Sequence, residues 1–328
     1  MNRRRFLQNS LLALGTLSLP GVGRLWAWDK VNAFPDRLSA QGAAAAFGNH
    51  AEIDPADRTF RRSIMWGMVG SKGSPLASCS VLEKCRAIRA AGFDGIEPYS
   101  HMDRDEVLDA MQQTGLVASS VCNAKHWEVP LSSPDAKVRQ QGIEALVRSL
   151  EDAKVYGTDT VLLVPGIVTA EVSYGQCWER STACLREVLP EARRLGVKIA
   201  IENVWNRFLM SPMEAVRYVD QFDSPMIGFY FDVGNILTFG WPVQWIDMLG
   251  ERIFRIHIKD YSLSLANTQG PNAGFQVPLG EGENDWPGIM TALRKNYRSD
   301  WLTIEHAGGD TPEGLVQLGQ ALERIIRS

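Results

Sequence analysis

The sequence predicts a single-domain (β/α)₈ barrel, the TIM-barrel architecture, over residues 61–328. From about residue 63 onward, short apolar runs rich in β-branched residues alternate with longer amphipathic runs. The apolar runs are mostly continuous, as in parallel strands that are buried on both faces. No nucleotide-binding glycine motif follows the first strand, which argues against an open doubly wound sheet. Eight strand–helix pairs of this kind close into a barrel.

The predicted strands are five to seven residues long with one shorter exception, which is an ordinary length range for barrel strands. In chain order they are Ser63–Val69, Gly95–Glu97, Val117–Cys122, Thr160–Val164, Val197–Glu202, Ile227–Asp232, Ile253–Ile258 and Trp301–Glu305.

The predicted helices lie between these strands, and four in succession stop at a glycine, the residue that most readily adopts the left-handed conformation of a helix C-cap. These helices are Leu76–Ala91, Asp103–Thr114, Pro134–Tyr156 and Trp178–Leu195, followed by Gly92, Gly115, Gly157 and Gly196. Two later helices are predicted to begin at Ser211-Pro212 and Thr311-Pro312, because a hydroxyl N-cap followed by proline is a typical helix start.

The N-terminus has the features of an export signal. Arg3-Arg4 is followed, after one residue, by Phe6-Leu7, and then by an apolar run over Leu11–Leu19. This order resembles the twin-arginine motif. We expect a twin-arginine signal peptide over residues 1–28, a linker over residues 29–60 and a periplasmic or extracellular location. Beyond this region no apolar stretch is long enough to span a bilayer, so no stable membrane anchor is expected.

Composition excludes several classes of protein. The net charge of −4 gives no support for a nucleic-acid partner. The five cysteines are odd in number and form no Cys-x-x-Cys pair, so we expect buried thiols rather than disulfides or a zinc ribbon.

Ionisable residues stand at the ends of five predicted strands. The C-terminal ends of barrel strands meet at one mouth, where active sites of this fold lie. Glu202, Asp232, His257 and Glu305 would therefore converge there. Three carboxylates and an imidazole suit one divalent ion, Mn²⁺ ahead of Mg²⁺, Co²⁺ or Zn²⁺. The alternative is a set of separate rim charges, each paired with an arginine or lysine.

The same strand ends resemble a known family. The strings are Ile201-Glu202-Asn203, Phe231-Asp232-Val233-Gly234-Asn235, His257-Ile258-Lys259-Asp260, Pro278-Leu279-Gly280-Glu281-Gly282 and Ile304-Glu305. They look like the xylose isomerase-like sugar isomerase/epimerase superfamily over about residues 63–325. Within it, the chain looks most like L-xylulose 5-phosphate 3-epimerases. The resemblance implies that the four residues bind the metal ion and that Glu202 and Glu305 form the acid/base pair.

Further residues near the strand ends are predicted to contact the substrate. Asn235 stands where tagatose- and psicose-type epimerases usually carry histidine, so it can orient substrate or water but cannot exchange a proton near neutral pH. The full set is Glu97 for a hydroxyl, His126 as a pocket wall, Arg207 for a substrate oxygen, Asn235, and Lys259 for an enolate or a phosphate. The alternatives are a structural ion pair for Glu97, loop positions for His126 and Arg207, and pairing with Asp260 for Lys259.

These groups predict a metal-dependent ketose isomerase or epimerase that works through an enediolate on a small-molecule sugar. An exported 3-keto-glycoside lyase or hydratase, or a cyclitol dehydratase, would use the same metal site. A non-catalytic sugar-binding protein is the alternative from another class, and a homo-oligomer is left open. An endonuclease of the same superfamily would need more histidine ligands and a more basic face than five histidines and a net charge of −4 provide.

Overall fold

The structure is a computed structural model that describes residues 59–328. The predicted signal peptide and nearly all of the predicted linker lie outside these residues. In the described part of the chain, no helix is both long and apolar enough to cross a membrane.

Nine strands form one all-parallel sheet in the order β3-β2-β1-β9-β8-β7-β6-β5-β4. They are β1 Arg61–Met65, β2 Gly95–Glu97, β3 Val117–Ala118, β4 Val121–Cys122, β5 Thr160–Leu163, β6 Lys198–Glu202, β7 Ile227–Asp232, β8 Ile253–Ile258 and β9 Trp301–Ile304. The predicted bounds of β2, β7 and β8 are confirmed. Glu305 lies one residue beyond β9 rather than inside it.

The strands β3 and β4 are two pieces of the one strand predicted over Val117–Cys122. The first piece pairs with β2 and the second pairs with β5, so together they join the two ends of the sheet. The strand is interrupted at Ser119-Ser120, where the Ser120 hydroxyl donates a hydrogen bond to Glu97. Counting the two pieces as one gives eight barrel strands, which confirms the predicted (β/α)₈ fold.

The first predicted strand is too long at its C-terminal end. β1 stops at Met65, and Trp66–Met68 form a 3₁₀ turn that leads the chain away from the sheet. Val69 makes only an isolated parallel bridge with Gly309.

Nine α-helices accompany the strands in the described residues. They are α1 Val81–Ala90, α2 Arg104–Thr114, α3 Ala136–Tyr156, α4 Tyr174–Leu195, α5 Pro212–Asp220, α6 Pro242–Leu249, α7 Leu263–Gln269, α8 Trp286–Asn296 and α9 Pro312–Ile326. Gly115, Gly157 and Gly196 are left-handed C-caps, as predicted. The helix predicted from Leu76 begins at Val81 because Ser80 and Glu83 form a capping box there.

The main core lies between the sheet and the helices, and a smaller cluster fills the inside of the barrel. The inner cluster consists of Met65, Cys122, Leu162, Ala200, Tyr230 and Phe254. Side chains two residues apart on a strand share a face. Glu202 and Asp232 therefore follow Ala200 and Tyr230 on the inner face, at the C-terminal ends of their strands. All five cysteines are free, and four of them are buried.

Candidate active site

Four side chains meet at the C-terminal mouth of the barrel. Glu202 ends β6, Asp232 ends β7, His257 lies near the end of β8, and Glu305 follows β9. One potential ligand atom from each lies within 4.8 Å of all the others. The four residues predicted to converge are thus brought together. Their metal-binding and catalytic roles remain predictions.

His257 is the central hydrogen-bonding group of this cluster, which we call the carboxylate–histidine cluster. Its Nδ1 lies 2.8 Å from Glu202 Oε1 and 3.1 Å from Glu305 Oε2, while Nε2 lies 2.9 Å from Glu97 Oε2. Burial by itself lowers the pKa of His257, but Tyr230 and the surrounding carboxylates outweigh burial and hold the pKa well above its ordinary value. The imidazole therefore offsets negative charge inside the barrel.

Asp232 is held by a turn that its own sequence motif builds. Its Oδ1 accepts hydrogen bonds from the backbone N–H groups of Gly234 and Asn235, both at 2.8 Å. The Asn203 side chain bonds both backbone groups of Asp232, donating at 2.8 Å and accepting at 2.9 Å. Asn235 in turn donates to the Asn203 carbonyl at 3.0 Å. Because Oδ1 is occupied in this way, Oδ2 is the oxygen left for the cluster.

Lys259 belongs to the cluster rather than to Asp260. Its Nζ lies 2.7 Å from Glu305 Oε2, 3.1 Å from Asp232 Oδ2 and 3.4 Å from Asn235 Oδ1. Burial by itself lowers the pKa of Lys259, but the neighbouring Asp232 and Glu305 raise it above its ordinary value. The predicted alternative, a simple pair with Asp260, is wrong.

Two buried oxygens of the cluster lack a hydrogen-bond donor among the described residues. These atoms are Asp232 Oδ2 and Glu305 Oε2. Lys259 Nζ lies within ion-pair distance of both. One lysine ammonium cannot balance the three carboxylates that meet here, and uncompensated negative charge inside the barrel is costly. The cluster fits a divalent metal ion on this ground, with three oxygen ligands and one nitrogen ligand.

The three carboxyl groups differ in proton affinity. Burial, assisted by the charge of Glu305, raises the pKa of Glu202 to about 7. Burial also raises the pKa of Asp232, to about 6, although Lys259 opposes it. At Glu305 burial acts in the same direction, but Lys259 and His257 outweigh it and lower the pKa well below its ordinary value. Carboxyl groups whose environments separate their proton affinities are typical of acid/base sites.

A cavity of about 310 Å³ opens beside the cluster. Glu202 and Glu305 reach its wall, and so do the apolar side chains Met65, Met68, Tyr99, Leu162 and Val204. His126 and Trp127 also line it, as predicted for His126. The His126 Nδ1 accepts a hydrogen bond from the Val164 backbone at 3.4 Å, and burial lowers the pKa of His126 to about 4. His126 is therefore a neutral wall of the cavity at neutral pH.

Three predicted substrate contacts have other surroundings. Arg207 is exposed, adopts a left-handed φ of 61° and is not among the described residues that line the cavity. Glu97 is fully buried behind His257, and its two oxygens bond His257 and Ser120. Asn235 contacts Asp232, Asn203 and Lys259 rather than the cavity wall. These contacts assign Glu97 and Asn235 to the support of the cluster.

Asp260 is a functional-site residue that the sequence did not single out. Its carboxylate is fully buried and accepts five N–H groups, three of them on Oδ2. The donors are the backbone of Tyr261, Gly280 and Gly282 and the side chains of Asn284 and Trp286. The glycine-rich loop after β8 is thus folded around one carboxylate. The Gly-Glu-Gly string of this loop was the sequence signal that could have indicated a buried acceptor, because two glycine N–H groups so close in sequence can share one acceptor.

Barrels with acid/base carboxylates at the strand ends form a broad class of enzymes. A sequence model of the xylose isomerase-like TIM barrel family matches residues 85–325, and the chain belongs to this family. The putative L-ribulose-5-phosphate 3-epimerase SgbU of Escherichia coli strain K12 is 28% identical over 254 residues, which are 73% of this chain and 88% of that protein. The L-ribulose-5-phosphate 3-epimerase UlaE of Escherichia coli O1:K1 is 26% identical over 239 residues, which are 69% of this chain and 81% of that protein.

A solved structure gives the same fold. The 3-keto-D-glucoside 4-epimerase YcjR from E. coli superposes with a TM-score of 0.66 at 17% identity, covering 81% of this chain and 99% of that chain. The curated relatives are named epimerases, and the predicted enzyme class, an isomerase, is confirmed.

Proposed function

We propose that this chain is a divalent-metal-dependent sugar epimerase or isomerase that works through an enediolate. The observation that carries the proposal is the cluster at the barrel mouth, in which one ligand atom from each of three carboxylates and one imidazole lies within 4.8 Å of the others. The relatives named as sugar epimerases support the reaction class.

Glu202, Asp232, His257 and Glu305 would hold the cation. Their oxygen-rich set favours Mn²⁺, with Mg²⁺, Co²⁺ and Zn²⁺ as alternatives. When bound, such a cation supplies the positive charge that acidifies a C–H bond beside a sugar carbonyl and stabilises the enediolate. His257 is fixed by Glu97 behind it, and Asp232 is fixed by the turn through Gly234 and Asn235.

Glu202 and Glu305 are the members of the cluster that reach the cavity wall, so they are placed to exchange protons with a sugar. One carboxylate takes a proton from the carbon beside the carbonyl, and the C–H electron pair moves toward the carbonyl oxygen. The other carboxylate returns a proton. Return to the same carbon from the opposite face gives an epimer, and return to the neighbouring carbon gives an isomer. Lys259, held by Glu305 and Asp232, offsets part of the negative charge.

The test is solvent exchange in D₂O. Purified full-length protein should contain a divalent metal and should place deuterium on the carbon next to the carbonyl of a ketose, as detected by NMR. Glu202→Gln and Glu305→Gln should each slow exchange by about 100-fold or more. Glu187→Gln, on the exposed surface of α4, is the matched control and should exchange at the wild-type rate. Wild-type exchange in either cluster variant would refute the acid/base assignment.

The same experiment separates the alternatives. A lyase or dehydratase would release an eliminated product with a new C=C bond, which NMR detects directly. A sugar-binding protein would bind ketoses without exchange. The epimerase names of the curated relatives favour neither alternative.

We also propose that the chain is exported by the twin-arginine route to the periplasm or the exterior. Arg3-Arg4 and Phe6-Leu7 support the proposal, and they lie outside the described residues. Replacing both Arg3 and Arg4 by lysine should keep the protein in the cytoplasm of a host with this export system, whereas Arg5→Lys should not. Cell fractionation with immunoblotting measures the outcome, and export of the double variant would contradict the proposal.

A further inference from the structure

We infer that the cavity accepts an uncharged sugar rather than a sugar phosphate. This inference rests on the proposed function and names the substrate class of the same site. It departs from the substrate in the names of the curated relatives, which are ribulose-phosphate epimerases.

The positive charge of Lys259 is already paired with carboxylates of the protein. Lys259 Nζ lies 2.7 Å from Glu305 and 3.1 Å from Asp232. A phosphate at Lys259 would therefore lie beside two carboxylates, whose negative charge opposes its binding. The cavity lining found in the described chain contains no lysine or arginine, and the imidazole of His126 is buried there.

The usual phosphate position of this fold is filled by a carboxylate of the chain itself. Barrels of this kind frequently bind phosphate with the loops after strands seven and eight and the N-terminus of a short extra helix. Here α7 follows the seventh barrel strand, β8, and its Leu263 and Ser264 N–H groups donate to Glu283 at 2.7 and 3.1 Å. A negative side chain at these donors both uses them and repels a phosphate.

The cavity walls are suited to a neutral ring. Met65, Met68 and Tyr99 form an apolar side, and Trp127 presents an indole that is half exposed. The Trp127 ring packs edge-on against His126, with the centroids 5.4 Å apart, which fixes its orientation. A phosphate carries about −1.5 to −2 charges at neutral pH. Against these walls, which offer neutral groups such as the Asn123 amide and the Tyr99 hydroxyl, such a charge would lose water without meeting a lysine or arginine.

Matched substrate pairs test the inference. The full-length protein, loaded with Mn²⁺, is assayed for deuterium exchange with ketopentoses and ketohexoses, each with and without a terminal phosphate. L-Ribulose and L-ribulose 5-phosphate form one pair, and a 3-keto-glucoside is added as an uncharged glycoside. The inference predicts that kcat/KM for the uncharged member is at least about tenfold higher, because one unpaired charge costs more than the free energy that a tenfold difference requires. Exchange confined to the 3-keto-glucoside would also support the inference and would identify the uncharged substrate as a glycoside.

Higher kcat/KM for the phosphates would overturn the inference and leave the proposed function standing. No exchange with any compound would overturn the proposed function, and the inference with it. Trp127→Ala gives a second measurement and should raise KM for the best uncharged sugar by about fivefold to tenfold with a smaller change in kcat. Trp241→Ala is the matched control, because Trp241 is 64% exposed at the start of α6, and it should leave KM unchanged. Equal KM values in both variants would contradict a neutral ring against Trp127.

Discussion

Glu97 Oε2 lies 2.9 Å from His257 Nε2, and both side chains are fully buried. The other Glu97 oxygen accepts a hydrogen bond from Ser120 Oγ at 2.6 Å. Because a carboxylate can only accept, Nε2 carries the proton of this bond. Nδ1 faces Glu202 and Glu305 and is the nitrogen that would bind a metal ion once it has lost its own proton. Carboxylates behind a metal-ligating histidine fix its tautomer and its ring orientation.

Glu97→Gln should therefore weaken metal binding while the fold is kept. We expect the affinity for Mn²⁺, measured by isothermal titration calorimetry on chelator-treated protein, to fall by about tenfold, at the lower end of the range for such partners. Glutamine can still accept from Nε2, so the loss should be smaller than in Glu97→Ala. Glu187→Gln should bind Mn²⁺ as the wild type does. An unchanged affinity in both Glu97 variants would show that Glu97 does not orient the ligand.

Asp260 should be a major stabilising residue of the mouth. Replacing it by asparagine leaves one acceptor oxygen for five donors, so at least two buried N–H groups lose their partner. We expect Asp260→Asn to lower the free energy of unfolding by about 2–4 kcal/mol in urea denaturation. The matched control is Asp247→Asn, at an exposed ion pair with Lys295. This substitution should change the free energy of unfolding by about 0.5 kcal/mol or less. Equal effects would rule out the anchoring role of Asp260.

The barrel was predictable because its strands are buried on both faces. Mostly apolar runs such as Ile227–Asp232 and Ile253–Ile258, in which every residue is buried, indicate strand bounds without knowledge of their neighbours. The break at Ser119-Ser120 was not predictable. It coincides with a hydrogen bond from Ser120 to Glu97, which lies 23 residues earlier in the chain. Interactions between distant residues of this kind leave no periodicity in the sequence.

The cluster was predictable for a similar reason, because all parallel strands of a barrel end at one mouth. The direction in which each side chain points was not predictable. Glu97 and Glu202 both end a strand, yet Glu97 is buried behind His257 while Glu202 reaches the cavity. Arg207 was predicted to contact the substrate because it follows β6. It lies instead in a loop with a left-handed backbone conformation, where its side chain is exposed to solvent.

Gly228 should be intolerant of any side chain. A Cβ built there would lie 2.4 Å from the Phe254 ring and 2.6 Å from the Arg252 carbonyl oxygen, inside the packed sheet. We expect Gly228→Ala to lower the free energy of unfolding by about 1–3 kcal/mol through overpacking. Gly175, in the first turn of α4, has open space around its Cβ position, and Gly175→Ala should be neutral or should stabilise by up to about 1 kcal/mol. Chemical denaturation measures the free energy of unfolding of both variants. Equal changes in the two would contradict the prediction.

His126 should make stability depend on pH on the acid side of neutrality. Burial lowers the pKa of His126 from its ordinary value of 6.5 to about 4 in the folded protein. The unfolded chain therefore binds the proton first as pH falls. The contribution of His126 to the free energy of unfolding is complete above about pH 6.5 and is lost progressively down to about pH 4. Between pH 7 and pH 4.5, the free energy of unfolding of the wild type should fall by about 2 kcal/mol more than that of His126→Gln, as urea denaturation at each pH would measure. The comparison cancels the titration of the carboxylate–histidine cluster, which both proteins share. Parallel pH profiles would mean that the imidazole takes up a proton in its wall position as readily as in the unfolded chain.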